Sequence, residues 1–204
     1  MKVEHVVSTP DAENMIIRMA RVSSPQKADN GDDGLIRFCF EKGHWSIFEM
    51  ANLTVRIETS RAIAMQIVRH KSFSFQMLSR RYSAEPIEFE PIEFRAQGSK
   101  KHGTLIVLED PIDRAKVNAF LTEAKKLYNY LLSKGYSRET ARFILPQAEK
   151  ATLYMAGNLR SWIHYIQVRT DKSTQKEHSL IADEARKIFT EKFPLISSAG
   201  GFDY

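Results

Sequence analysis

The 204-residue chain has a single cysteine, Cys39, so no intramolecular disulfide can brace it and its stability must come from a packed core. Phe38 and Phe40 flank that cysteine and mark it as a core position. Such sparse thiol usage fits a reducing compartment and suggests the cytoplasm. There is no CxxC pair, no HExxH and no P-loop, and the six histidines (His5, His44, His70, His102, His164, His178) show no close metal-ligand spacing. These gaps argue against a metal enzyme. No uninterrupted apolar run approaches the roughly 20 residues that cross a bilayer. MKVEHVVSTPDAEN also lacks the apolar centre of a signal peptide. A soluble protein without membrane association is expected.

What is present suits one globular domain spanning residues 1–204, with 43% hydrophobic content. Thirty Lys plus Arg against 25 Asp plus Glu give a net charge of +5, which favours anionic ligands without specifying their size. Ser8, Pro10 and Asp11 predict the start of a helix carrying Met15, Ile16, Met19 and Ala20. A short helix is predicted over Leu35 to Glu41, stopped by Gly43. ANLTVRIET sets Leu53, Val55 and Ile57 against Thr54, Arg56 and Glu58, the period of a half-buried strand. Ser60 then caps SRAIAMQIVRH, a segment apolar nearly all round and therefore expected to be buried. Its Gln66, Arg69 and His70 fall in one arc of about 100° if the helix is regular, a polar stripe suited to lining a site.

PIEFEPIEF, residues 86 to 94, reads as extended because its prolines forbid a helix interior. QGSKKHG, residues 97–103, is the candidate flexible loop. Asp110-Pro111 opens a long amphipathic helix closed by Gly135, and another begins near Ser137. ATLYMA suggests a strand, Asn158 caps LRSWIHYIQVR, and a last helix covers about Ser173 to Phe193 before the tail PLISSAGGFDY. A helix-rich plan with a few antiparallel strands is α+β.

The chemistry concentrates in RHKSFSFQMLSRRYS, residues 69 to 83. Arginine offers a planar donor fork matched to phosphate, and serine hydroxyls complete such a cradle, so Ser79, Arg80 and Arg81 form a phosphate-loop composition. A solvated basic turn is the plain alternative. Arg142, Asn158, Arg160, His164 and Arg169 form a second set. Arg160 and His164 share a helical face, whereas Arg169 lies about 180° from Arg160 if the helix stays regular, which hints at sites shared between subunits. Trp162, Tyr165, Phe73 and Phe75 suit either a core or a stack on a planar ring. His44, after Gly43, is either a site residue or a turn residue capping its neighbour.

Four segments in order resemble the flavin-dependent thymidylate synthases: GHWSIFEM, RHKSFSFQMLSRRYS (the family's RHR-x7-S signature), ETARFILP and GNLRSWIHYIQVRTDKSTQ. The likeness covers roughly residues 10 to 190. It implies reductive methylation of dUMP to dTMP, with carbon from methylenetetrahydrofolate and hydride from NADPH through FAD, in a homotetramer with sites at subunit interfaces. It also implies dUMP contacts from Gln66, Arg69, Ser79, Arg80, Arg81, Arg142 and Arg169. Flavin contacts would come from His44, Ser46, Arg69, His70, Lys71, Asn158, Leu159, Arg160 and His164. Arg169 is the candidate catalytic residue, its cation stabilising negative charge on the activated uracil; arginine is no base at neutral pH. A cysteine nucleophile is not supported, since Cys39 has no motif and Ser79 no activating pair.

Two positions depart from the family pattern. Lys71 replaces the third arginine of RHR and loses the bidentate fork, which predicts an altered grip on the flavin. Met77, after Gln76, stands where the family carries glutamate, so one ligand contact is missing. Two other readings fit parts of the pattern: a homologue with a different pyrimidine-nucleotide modification or a binding role alone, and a nucleic-acid-binding module stacking bases on Phe73 and Phe75.

Overall fold

The computed structural model describes residues 1–22, 32–83, 85–98 and 103–203. In chain order its elements begin β1 (Lys2–Ser8), α1 (Ala12–Val22), α2 (Asp32–Glu41), a 3₁₀ turn (Trp45–Glu49), β2 (Asn52–Ser60), α3 (Arg61–Ile67) and β3 (Ser74–Met77). They continue with β4 (Arg95–Gln97), β5 (Gly103–Val107), α4 (Pro111–Ser133), α5 (Arg138–Ala141) and a second 3₁₀ turn (Arg142–Ile144). β6 (Lys150–Asn158), α6 (Leu159–Arg169), α7 (Lys176–Lys192) and α8 (Pro194–Gly200) complete the series. The larger sheet has the order β1-β2-β6-β3, and β4 pairs antiparallel with β5. This is the predicted α+β class, rich in helix with little sheet.

The chain forms two compact units, each built from separate stretches: Glu58–Gln66 and Met77–Thr152 with Met1 in the first, Lys2–Ile57, Ile67–Gln76 and Leu153–Tyr204 in the second. In the first unit, Asp110 caps α4 by accepting hydrogen bonds from the Ile112 and Asp113 amides, with Pro111 at the first helical position. Gly135 takes φ +85° and ends the helix as expected. α4 contributes Tyr128, Leu131 and Leu132 to a cluster with Ile87, Phe89, Ala141, Ile144 and Leu145. PIEFEPIEF is extended, as its prolines predict: the Glu90 amide donates to the Ala148 carbonyl and the Lys150 amide to the Glu88 carbonyl. Most of the predicted 97–103 loop lies outside the described residues; Gln97 ends β4 and Gly103 begins β5.

In the second unit, β2 places Leu53, Val55 and Ile57 fully inside, following the alternation read from the sequence. α6 packs beside α7 and on the first 3₁₀ turn, and it buries Trp162 and Tyr165 completely. The Trp162 indole N–H donates to the Leu53 carbonyl at 2.9 Å, which satisfies the one polar atom the ring takes inside. Phe73 is buried as well, its ring edge-on to Trp162 at 5.0 Å between centroids. The core reading therefore holds for Phe73, Trp162 and Tyr165. Cys39 is buried too, and burial pushes its thiol pKa up.

Several boundaries differ from expectation. Ser8 ends β1 and α1 begins at Ala12, because Asp11 adopts φ +49° and breaks the turn before the helix starts. The last long helix begins at Lys176 rather than Ser173, since Asp171 holds the Ser173 amide and hydroxyl in a local turn. PLISSAGGFDY is not merely a tail: Pro194 starts α8, and Gly201 ends it with φ +67°. Among the described residues no helix is long and apolar enough to cross a membrane.

Candidate functional site

In the first unit the chain leaving β3 folds into a tight turn at 79–83, where the Ser79 carbonyl accepts from the Tyr82 and Ser83 amides. Its two arginines diverge. Arg80 turns inward, 5% exposed, and donates from Nε to Glu149, from Nη1 to the Glu85 carbonyl at 2.7 Å, and towards the Pro86 carbonyl at 3.5 Å. Each of its three nitrogens is directed at a partner in the same unit, an arrangement that braces the turn. A buried carboxylate beside a buried guanidinium removes both charges from solvent only as a pair.

Arg81 points outward. Its Nε donates to Glu139 at 2.5 Å, and the carboxylate raises its pKa. Glu139 is held by α5, which Ser137 caps by accepting from the Thr140 amide, and Arg138 of the same turn donates to the Tyr82 carbonyl at 3.0 Å. The structure thus brings Ser79, Arg81 and the start of α5 together. Arg142 follows α5 with its guanidinium 5.9 Å from the Phe143 ring centre, and Gln66 lies half-buried on α3. A groove of about 670 Å³ runs along α4 and the PIEFEPIEF segment; none of the predicted ligand residues lines it.

The second unit carries the other set. α3 stops at Ile67, so Arg69 and His70 are not on a helical stripe with Gln66 as the sequence suggested. The helix also exposes Met65 by 45%, so it is not buried all round. After α3 the chain turns, the His70 amide donating to the Ile67 carbonyl and the Phe73 amide to the His70 carbonyl. Arg69 and Lys71 project to the surface without an ion pair among the described residues, while His70 turns in. Its Nε2 accepts a hydrogen bond from Arg169 Nε at 2.9 Å. Burial first, then the positive charge of Arg169 and the neighbouring His164, lower the His70 pKa to about 4.

Asn158 caps α6 by accepting from the Ser161 amide at 2.9 Å, which leaves its NH₂ as a donor. Arg160 and His164 are exposed on one face, with Arg160 donating to Glu49 at 2.5 Å. α6 stays helical to Arg169, so Arg160 and Arg169 do lie on opposite sides. The Leu159 side chain is fully buried and its amide donates to the Ala51 carbonyl, which removes it as a side-chain ligand. His44 and Ser46 are exposed at the first 3₁₀ turn; His44 makes no side-chain cap, and its ring stands edge-on to Phe38 at 5.7 Å. An anionic diphosphate suits the exposed cations Arg69, Lys71 and Arg160.

Residue-type reasoning missed Glu49, Glu139, Glu149, Tyr165 as a ring support, and His178. Glu49 was visible inside GHWSIFEM. Glu139 was likewise visible at the start of ETARFILP, whereas Glu149, 69 residues from Arg80, had no local signal. Among the described residues no cluster of His, Cys, Asp or Glu suits a metal ion.

Residues 5–195 match the family model described as thymidylate synthase complementing protein. A flavin-dependent thymidylate synthase from Synechocystis sp. is 46% identical over 191 residues, covering 92% of this chain and 88% of the relative. A probable flavin-dependent thymidylate synthase of Paramecium bursaria Chlorella virus 1 is 40% identical over 197 residues, covering 92% and 90%. Among solved structures, a UMP/dUMP methylase from Streptomyces cacaoi bound with 5-Br dUMP superposes with a TM-score of 0.82 at 25% identity, covering 97% of this chain and 93% of that one. The chain belongs to the thymidylate synthase complementing protein family, that of the flavin-dependent thymidylate synthases.

Proposed function

We infer that this chain is a flavin-dependent thymidylate synthase: it converts dUMP to dTMP, taking carbon from methylenetetrahydrofolate and reducing power from NADPH through FAD. The observation that carries the reading beyond kinship is the state of Arg169. Its Nε is anchored on a histidine rather than a carboxylate, so this partner brings no negative charge to offset that of the guanidinium. A cation so held stabilises the negative charge that develops on a uracil ring as C5 becomes nucleophilic. His70, neutral at physiological pH, supplies the acceptor without cancelling the charge.

The remaining roles follow from the two residue sets. Arg81, Ser79, Arg142 and Gln66 offer donors to a nucleotide phosphate and base; Arg81 gives up Glu139 in exchange for the phosphate. Arg69, Lys71, Arg160 and His164 are exposed donors suited to the flavin diphosphate, with the Asn158 NH₂, Ser46 and His44 beside them. FAD, when bound, supplies the hydride chemistry that no side chain performs. The resemblance assigns Arg69 to both sets. The opposed faces of Arg160 and Arg169 on α6 support a homotetramer with sites shared between subunits, and the single buried cysteine supports a cytoplasmic protein. A base-stacking nucleic-acid site would keep only half of its platform, since Phe73 is 8% exposed and Phe75 is half-buried.

The solved UMP/dUMP methylase favours testing the ribonucleotide alongside. The experiment is turnover of purified protein with FAD, NADPH and ¹⁴C-methylenetetrahydrofolate, given dUMP or UMP. Label in dTMP is expected. Label in the UMP product alone would reassign the substrate, and no transfer to either would leave a binding role.

A further inference from the structure

We propose that His70 is the positioning residue of Arg169, and that a buried Tyr165–His178 pair holds the His70 ring at the angle this requires. The inference rests on reading Arg169 as the group that meets the pyrimidine.

The geometry is specific. Arg169 ends α6, where a long flexible side chain would otherwise sample many rotamers. One hydrogen bond, from Nε to His70 Nε2 at 2.9 Å, fixes the guanidinium through its inner nitrogen. The two terminal nitrogens make no hydrogen bond within the described residues and remain as donors. The His70 ring is in turn held edge-on by three aromatic rings: Tyr165 at 5.0 Å, His178 at 6.2 Å and Phe73 at 6.4 Å between centroids, all within 12° of perpendicular. Tyr165 and His178 are fully buried, and the Tyr165 hydroxyl lies 3.2 Å from His178 Nε2.

This arrangement requires a neutral His70 with its proton on Nδ1, because Nε2 must accept from a permanent cation. Arg169, His164 and Tyr165 face the ring from α6 and His178 from α7; Arg69 and Lys71 flank it in the chain. Among the facing groups Arg169 is permanently cationic, and His178 is itself kept neutral by burial. Protonating His70 would break the bond and set two cations against each other.

Two measurements test the proposal. In ¹⁵N-histidine NMR of the full protein without ligands, His70 should show the Nδ1–H tautomer down to about pH 5. Arg169→Ala should shift its Nε2 resonance and raise its pKa. An unchanged Nε2 resonance in that variant would overturn the pairing, whatever the enzyme does.

In kinetics at saturating FAD, His70→Gln, which places an acceptor near Nε2, should retain kcat within about fivefold. His70→Leu should lose about 100-fold in kcat, the cost of misplacing a reacting group by about an ångström. Tyr165→Phe should lower kcat with FAD affinity unchanged. Equal kcat in His70→Gln and His70→Leu, with both folded by circular dichroism, would sink the positioning role. Wild-type turnover by Arg169→Ala would instead refute the reading of Arg169, leaving the NMR result to judge the pair.

Discussion

Arg80 and Arg169 are the same residue in two parts of the molecule, and each is tied down through Nε, yet one cation is paired with a carboxylate and the other with an imidazole. Arg80 meets the Glu149 carboxylate in a buried pair and finishes its fork on backbone carbonyls. Arg169 meets a neutral imidazole and keeps both its charge and its terminal donors. The carboxylate turns an arginine into a structural pin; the imidazole orients one without neutralising it. The type of residue announces neither outcome, and the acceptor decides.

The comparison breaks most sharply at Arg80. Arg80→Met should cost about 3–5 kcal/mol by stranding Glu149 without a partner, measured by urea denaturation. The double variant with Glu149→Leu should recover most of it. Arg169→Ala should do the reverse, lowering kcat about 10²–10³-fold with the unfolding midpoint little changed. Exchange of these two signatures would dissolve the distinction.

Gly157→Ala tests the support behind His70. An added Cβ would fall 2.5 Å from the Phe73 ring, which packs against His70, so a loss of about 1–3 kcal/mol is expected by thermal unfolding. Phe73→Leu in the same background should relieve it. Acid tests the imidazoles. Burial lowers the His70 and His178 pKa values from 6.5 to about 4, so the unfolded chain binds these protons first. Their contribution is complete above pH 6.5 and is lost as pH falls towards 4; a flat unfolding midpoint over that window would contradict it. The smallest effect is expected at the exposed turn. Glu139→Gln frees Arg81 and should tighten dUMP binding by at most about fivefold, measured by calorimetry.

Ser79, Arg81, Arg160 and Arg169 were legible as candidate ligands because their residue types and motif spacing are local features. The stripe of Gln66, Arg69 and His70 was not real, since α3 ends two residues before Arg69 and helical periodicity cannot be extended past an element's end. Lys71 and Met77 remain departures whose surroundings nothing in the structure explains; Lys71 is exposed and Met77 half-buried.

By itself the sequence determined what neighbours within a few residues decide. The alternation of β2, the caps at Asp110, Ser137 and Asn158 and the full run of α6 all follow from local periodicity and capping chemistry. Tertiary structure alone decided which arginine is sealed against a carboxylate and which is held by an imidazole. Glu149 is 69 residues from Arg80, and Arg169 is 99 from His70. A side chain's acceptor at such separation is chosen by how strands and helices pack, and no pattern along the chain encodes that choice.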